Sequence, residues 1–283
     1  MNPQDRPYKT QIYHYKDPTS LSRPLEILLA TCIINWTISG FNNLYEYQLY
    51  TMGRGDVLPT SGLLNNNAIR QMLIGSITLL CHFITMIVFC LWTYRISSNA
   101  HHFSGSTQRH PPSWSVGSYF VPIVNLWHPY QALWDAHKTF INTGEKLKSA
   151  SVFQFWWTAW FASGIIGLVV FRKINTLNQT LQEVDKSLKP SEIWDTLMEI
   201  SLAGIGSNIF SIFLNLFAIK VIQLVTNSCV KFQRKKRSST SSFRLNPVVS
   251  IGASLGQETK VGDQLLISNL LVTQNQPLAR IKE

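Results

Sequence analysis

PPSWSVGSYFVPIVNLWHPYQALW, residues 111–134, contains no Asp, Glu, Lys or Arg and is long enough to cross the roughly 30 Å hydrocarbon core of a bilayer as one helix. Pro122 and Pro129 interrupt it. Each proline removes a backbone donor and biases the residue before it away from helical torsions. The expected form is therefore a broken, re-entrant or interfacial element over residues 114–134. The distinction matters because a fifth crossing would carry everything after it to the opposite side of the membrane.

Outward from this stretch lie four uninterrupted apolar runs, at about residues 25–47, 72–94, 150–171 and 200–225, each near the ~20 residues a membrane helix needs. The first follows Arg23-Pro24, a proline at a permitted helix start, and its only charges are Glu26 and Glu46 near its ends. The second has no charge beyond titratable His82 and is closed by Arg95. Trp156, Trp157 and Trp160 lie toward one end of the third, as an interfacial aromatic belt would. Lys220 interrupts the fourth, with a stem long enough to snorkel. The expected fold is all-α: a four-helix integral membrane bundle plus the broken element.

Composition agrees. Only 14% of the 283 residues are charged, against about a quarter in soluble domains, which argues against a soluble globule. The net charge of +10 is spread between the apolar runs, so membrane orientation explains it better than nucleic acid does. Four crossings starting from the cytoplasm put four Lys/Arg in the N-terminal tail, five in residues 95–148 and nine in the C-terminal tail. The two outer loops hold two and four. That is the positive-inside pattern, and it places both termini in the cytoplasm of a cell (inner) membrane. The polar lead over residues 1–24 and the lack of an A-x-A site make the first run an anchor rather than a signal peptide. The organisation expected is a cytoplasmic N-terminal tail (1–24), a membrane domain (25–230) and a basic, largely disordered cytoplasmic tail (231–283). In that tail QLLISNLLV, residues 264–272, reads first as a transient apolar cluster in a flexible chain and second as a short amphipathic helix on a partner or the bilayer. KFQRKKR, with Lys231, Arg234, Lys235, Lys236 and Arg237, serves topology first and is also placed to meet anionic lipid.

Polar residues inside the runs recur at spacings of three and four, hence on one helix face. The rows are Asn35, Ser39, Asn42 and Glu46; Gln71, Gly75, Thr78, His82 and Thr85; and Gly204, Asn208, Ser211, Asn215 and Ala218. Lipid offers no hydrogen-bond partner, so such rows are expected to turn inward. Helix-to-helix bonding outweighs a permeation path as their reading. Ser163 and Gly167 suggest a further close contact in the third run. His82 is a candidate proton relay, an ionisable group at membrane depth, although a neutral imidazole bonded to a neighbouring helix satisfies the sequence as well.

The four cysteines read as small buried hydrophobes. His101, His102, His110, His128 and His137 match no zinc spacing and are expected to be solvated loop residues. No nucleophile elbow, zinc-protease, phosphate-loop or dinucleotide motif occurs, so the sequence supports neither catalysis nor a cofactor.

Two runs carry a family likeness. LWTYRISSNA supplies Trp92, Tyr94, Arg95, Asn99 and Ala100; the later stretch supplies Trp114, Val116, Gly117, Phe120, Val121, Pro122, Asn125, Leu126, Pro129, Tyr130 and Gln131. Over these some 40 residues the chain resembles a bacterial membrane family, domain of unknown function 4328. The resemblance implies a four-helix multi-pass membrane protein and assigns no activity. Physically, the motif is expected at the membrane edge: Trp92 and Trp114 at headgroup depth, Arg95 on a phosphate or a carbonyl, and Asn125 and Gln131 bonding carbonyls freed by the prolines. Three functions follow in order: a membrane scaffold or interaction protein, a small transporter or channel, and a lipid-modifying membrane enzyme.

Overall fold

The computed structural model describes residues 13–55, 59–104, 108–141, 146–182 and 190–245. They form six helices: α1 (Thr19–Arg54), α2 (Ser61–Ser104), α3 (Pro112–Gly117), α4 (His128–Lys138), α5 (Lys146–Gln182) and α6 (Pro190–Leu245). No strand occurs among the described residues. Four helices, α1, α2, α5 and α6, are long and apolar enough to cross a membrane.

Residues 111–134 do not make a fifth. After α3 come two 3-10 turns, Ser118–Phe120 and Val124–Leu126, and then α4. Pro122 falls between the turns, and Pro129 occupies the first turn of α4, where its missing N–H costs nothing. The element is thus divided into pieces too short to span.

All four long helices run past the expected ends. The largely disordered tail expected from Lys231 does not begin at that residue. Instead α6 carries helix through KFQRKKR to Leu245, across a stretch without Gly or Pro from residue 207 to 246. The proposed helix at residues 264–272 and the rest of that tail lie outside the described residues. The chain divides into two compact units, Met1–Phe232 and Gln233–Glu283; the bundle belongs to the first.

Side-chain pairs define the register of that bundle. α1 is antiparallel to α6, through Glu26 with Gln223, Ser39 with Asn208, Glu46 with Ser201 and Arg54 with Asp195. It is also antiparallel to α2, through Cys32 with Thr85, Asn35 with Thr78 and Glu46 with Gln71. Close approach is built in where α1 meets α6. A Cβ on Gly53 would lie 2.8 Å from the Trp194 ring, and one on Gly204 would collide with the Asn43 amide.

The apolar core lies toward the end carrying α4, where Leu25, Trp92, Ile96, Leu133, Phe153 and Ile222 are fully or almost fully buried. Farther along, the bundle is apolar on the outside. Met72 is 75% exposed and Leu79 73%, and Ile77, Leu80, Phe83 and Ile209 project likewise. Exposed apolar surface on this scale requires lipid. α5 joins through Phe153 and Trp156, with Phe155 stacked on Phe217 and Lys173 paired to Glu199 at 2.5 Å. Gly167 has open space around it, so the contact expected at Ser163 and Gly167 is not a close helix approach.

Candidate functional site

Two polar constructions occupy the bundle, one along its interior and one at the end that carries the α3–α4 element. In the interior, Asn35 Nδ2 donates to Thr78 Oγ1 at 2.6 Å, and Thr78 donates to the Ile74 carbonyl. Cys32 Sγ lies 3.5 Å from Thr85 Oγ1. Asn208 Nδ2 donates to Ser39 Oγ at 3.2 Å. Ser211 and Asn215, both buried, are bonded within α6, to the carbonyls of Ser207 and Ser211.

The densest part of this interior centres on Glu46. Its carboxylate accepts from Asn67 Nδ2 at 2.9 Å, Tyr50 Oη at 2.8 Å, Gln71 Nε2 at 2.6 Å and Ser201 Oγ at 3.4 Å. Asn67 then links two charges, because its Oδ1 accepts from Arg70 Nη2 at 2.6 Å. Arg70 Nε donates to Asn42 Oδ1, and its guanidinium lies 4.2 Å from the centre of the Tyr45 ring. The bonded donors here end on a neighbouring helix or on their own, while Asn42 Nδ2 is buried without a partner among the described residues.

His82 leaves the row. It is exposed, with Nδ1 2.9 Å from the Thr78 carbonyl and its ring edge-on to Trp36 at 5.1 Å. Within the expected row of α2, the residues that bond side chains of α1 are Gln71, Thr78 and Thr85, seven apart. A seven-residue seam drifts slowly around a straight helix, leaving Gly75 and His82 at its rim.

At the other end, the motif residues fasten an extended segment, Tyr13 to Asp17, along α2. Asn99 is fully buried: its Nδ2 donates to the Lys16 carbonyl at 2.8 Å, and its Oδ1 accepts from the Lys16 N–H at 3.0 Å. Arg95 Nη1 donates to the Asp17 carbonyl at 3.2 Å and to Ser20 Oγ at 2.5 Å. His102 Nδ1 lies 2.8 Å from the Tyr13 carbonyl. Residues 95, 99 and 102 share one face of the helix, so the motif spacing is that of a strap.

Other motif residues correct the expectation in detail. Trp92 does not face the lipid headgroups; it is fully buried inside the bundle, and its indole N–H donates to Thr226 Oγ1 at 3.1 Å. A partner hydroxyl for its N–H makes such burial tolerable. Trp114 is partly exposed, edge-on to His128. Asn125 Oδ1 is buried without a partner among the described residues, and Gln131 is exposed. A donor to the broken backbone comes from α5, where Trp157 Nε1 bonds the Leu126 carbonyl at 3.2 Å. Gly117 and Pro122 shape the turn region, Pro129 is buried, and Tyr130 packs on Phe153 and Trp157.

Of the histidines expected as solvated loop residues, only His110 lies in a loop, and only His102 is exposed. His101 and His102 belong to α2, and His110 packs against buried His128 with centroids 4.3 Å apart. Burial, reinforced by His110, pushes the His128 pKa down against the pull of Asp135. His137 is buried between Trp134 and Phe153, and desolvation pushes it down to about 4. Among the described residues no three His, Cys, Asp or Glu converge as metal ligands.

Sequence reasoning missed Asn67, Arg70, Lys16 and Thr226, and it gave Trp157 to an aromatic belt without its bond to Leu126. Asn67 was the most accessible of these, because it continues the Gln71 row back by one helical turn.

Apolar surface outward, polar side chains bonded inward and four helices of crossing length define a multi-pass membrane protein. The chain belongs to the DUF4328 family, a domain of unknown function whose family model matches residues 56–227. The match takes in α2, the broken element, α5 and most of α6, and begins just beyond α1. No curated protein and no solved structure matches the chain.

Proposed function

We propose that the protein is a scaffold or interaction protein of the bacterial inner membrane, with both termini in the cytoplasm. The observation carrying this reading is the use made of the interior polar groups. A permeation path needs polar side chains facing water, whereas Asn35, Asn67, Gln71, Ser201 and Asn208 donate to Thr78, Glu46 and Ser39 inside the bundle. Such bonds hold helices together. The Lys/Arg distribution supports the orientation. It leaves residues 95–148 and the chain beyond Lys231 on the cytoplasmic side, available to a protein partner, with Lys231, Arg234, Lys235, Lys236 and Arg237 near anionic lipid headgroups.

The test combines labelling, flux and purification. Single cysteines near the two ends should be labelled from the cytoplasmic side only, and the reconstituted full chain should pass no ions or small solutes. A partner co-purified in mild detergent should be lost on removing residues 246–283. Solute flux abolished by Asn35→Ala and Asn208→Ala in protein that still folds would replace this reading with the transporter. Oppositely sided ends would overturn the topology.

A further inference from the structure

The strap along α2 borders an open cavity of about 340 Å³ whose lining includes His14, Lys16, Tyr94 and Arg95, together with Leu21 and Leu91. Its charge is one-sided, because among the described residues no carboxylate lines it. The nearest acid along the chain, Asp17, has Oδ1 engaged by the N–H of Thr19 at the start of α1. Arg95 spends only Nη1 on the protein, leaving Nε and Nη2 unbonded among the described residues. Lys16 is held by its main chain alone: Asn99 grips its N–H and carbonyl, and its ammonium has no ion pair among the described residues.

Depth supplies the second observation. Arg95 is the first charge after the uncharged run that ends at Tyr94, and Leu91, one turn deeper, is half exposed. The cavity therefore sets cationic groups over an apolar floor where hydrocarbon gives way to headgroups, and the unused Arg95 donors suit phosphate oxygens.

We propose that this cavity binds the phosphate of an anionic phospholipid, with Arg95 and Lys16 on the headgroup and the acyl chain along Leu21 and Leu91. The recognised chemistry is a phosphate ester, and a lipid is favoured over free phosphate by that apolar floor. The site depends on the chain crossing a bilayer and is independent of the scaffold reading and of which side the termini occupy.

The test is native mass spectrometry of the full chain in mild detergent, titrated separately with dihexanoyl phosphatidylglycerol, dihexanoyl phosphatidylcholine and inorganic phosphate. Lys16→Gln is the informative variant, because it removes the ammonium and leaves the main-chain bonds to Asn99 in place. Phosphatidylglycerol should bind in preference to phosphatidylcholine, and Lys16→Gln should weaken it about fivefold, as loss of one interfacial cation predicts. Lys235→Gln, in the distal basic run, should leave that binding unchanged. Unaltered binding to Lys16→Gln, an equal loss in Lys235→Gln, or inorganic phosphate binding as tightly as the lipid would each overturn the proposal.

Discussion

Asn99 and Lys16 exchange two hydrogen bonds across 83 residues of chain, amide N–H to carbonyl and main-chain N–H to amide oxygen. A buried carboxamide thereby gives an extended segment the paired donor and acceptor that a neighbouring strand would supply. Arg95 and His102 bond the carbonyls of Asp17 and Tyr13 on either side of it. The motif that closes α2 is thus a device for fixing the approach to α1, which itself lies outside the family match.

Asn99→Ala should release this strap. Two main-chain groups of Lys16 lose their partner, at a cost of about 1–3 kcal/mol if they stay buried. Trypsin should then cut after Lys16 several-fold faster than in the parent, in detergent and at equal concentration. Unchanged cleavage would show that Arg95 and His102 hold the segment without it.

Much of the architecture was legible because lipid imposes a severe rule: uncharged runs of about 20 residues become helices, and prolines within them break the backbone. The four crossings and the interruption at Pro122 follow from that alone. Partner choice did not. Trp92 carries the same indole as a headgroup-level tryptophan, and only the presence of Thr226 on α6 makes burial acceptable. Asn125 and Gln131 were the local donors for the broken stretch, yet Trp157 from the next helix serves Leu126. Pairings between distant elements leave no periodic trace in either partner. His82 shows the limit of face counting, since a drift of a few tens of degrees separates a bonded position from an exposed one.

Glu46 is the hub of the interior bonds, so its removal should exceed the loss of any one donor. Glu46→Ala strands Tyr50, Asn67 and Gln71, the loss of several bonds to a charged acceptor, each worth about 1.5–3 kcal/mol. Gln71→Ala should cost about 1 kcal/mol. Thermal unfolding in detergent, followed by loss of helical circular dichroism, would order the two variants; equal effects would mean that water already reaches the carboxylate.

Gly53 permits the contact of α1 with Trp194. Gly53→Ala puts a methyl 2.8 Å from a rigid indole, and overpacking of this kind costs about 1–3 kcal/mol. Adding Trp194→Leu should recover most of the lost stability, because the collision then disappears. A double variant no better than the single one would place the effect in the backbone of α1 instead.

His137 should make the α4 end acid-sensitive. The ring is buried, stacked on Phe153 at 5.3 Å and tilted to Trp134 at 5.8 Å, and neither nitrogen has a partner among the described residues. Burial holds its pKa near 4, while the unfolded chain titrates near about 6.5. Above that value both states are neutral and the group contributes no pH dependence. Between pH 6.5 and 4 the unfolded chain binds the proton and the folded one refuses it, so stability falls as pH drops, by up to about 3 kcal/mol, and levels off below. His128 is shifted in the same direction and adds to the slope. The unfolding midpoint in detergent should therefore be flat above pH 7 and decline toward pH 4. His137→Leu, of similar volume and without a titrating group, should remove the larger part of that decline while retaining the midpoint at pH 7. An undiminished slope in the variant would assign the acid response to other groups, and a flat parent profile would mean that the ring protonates in place.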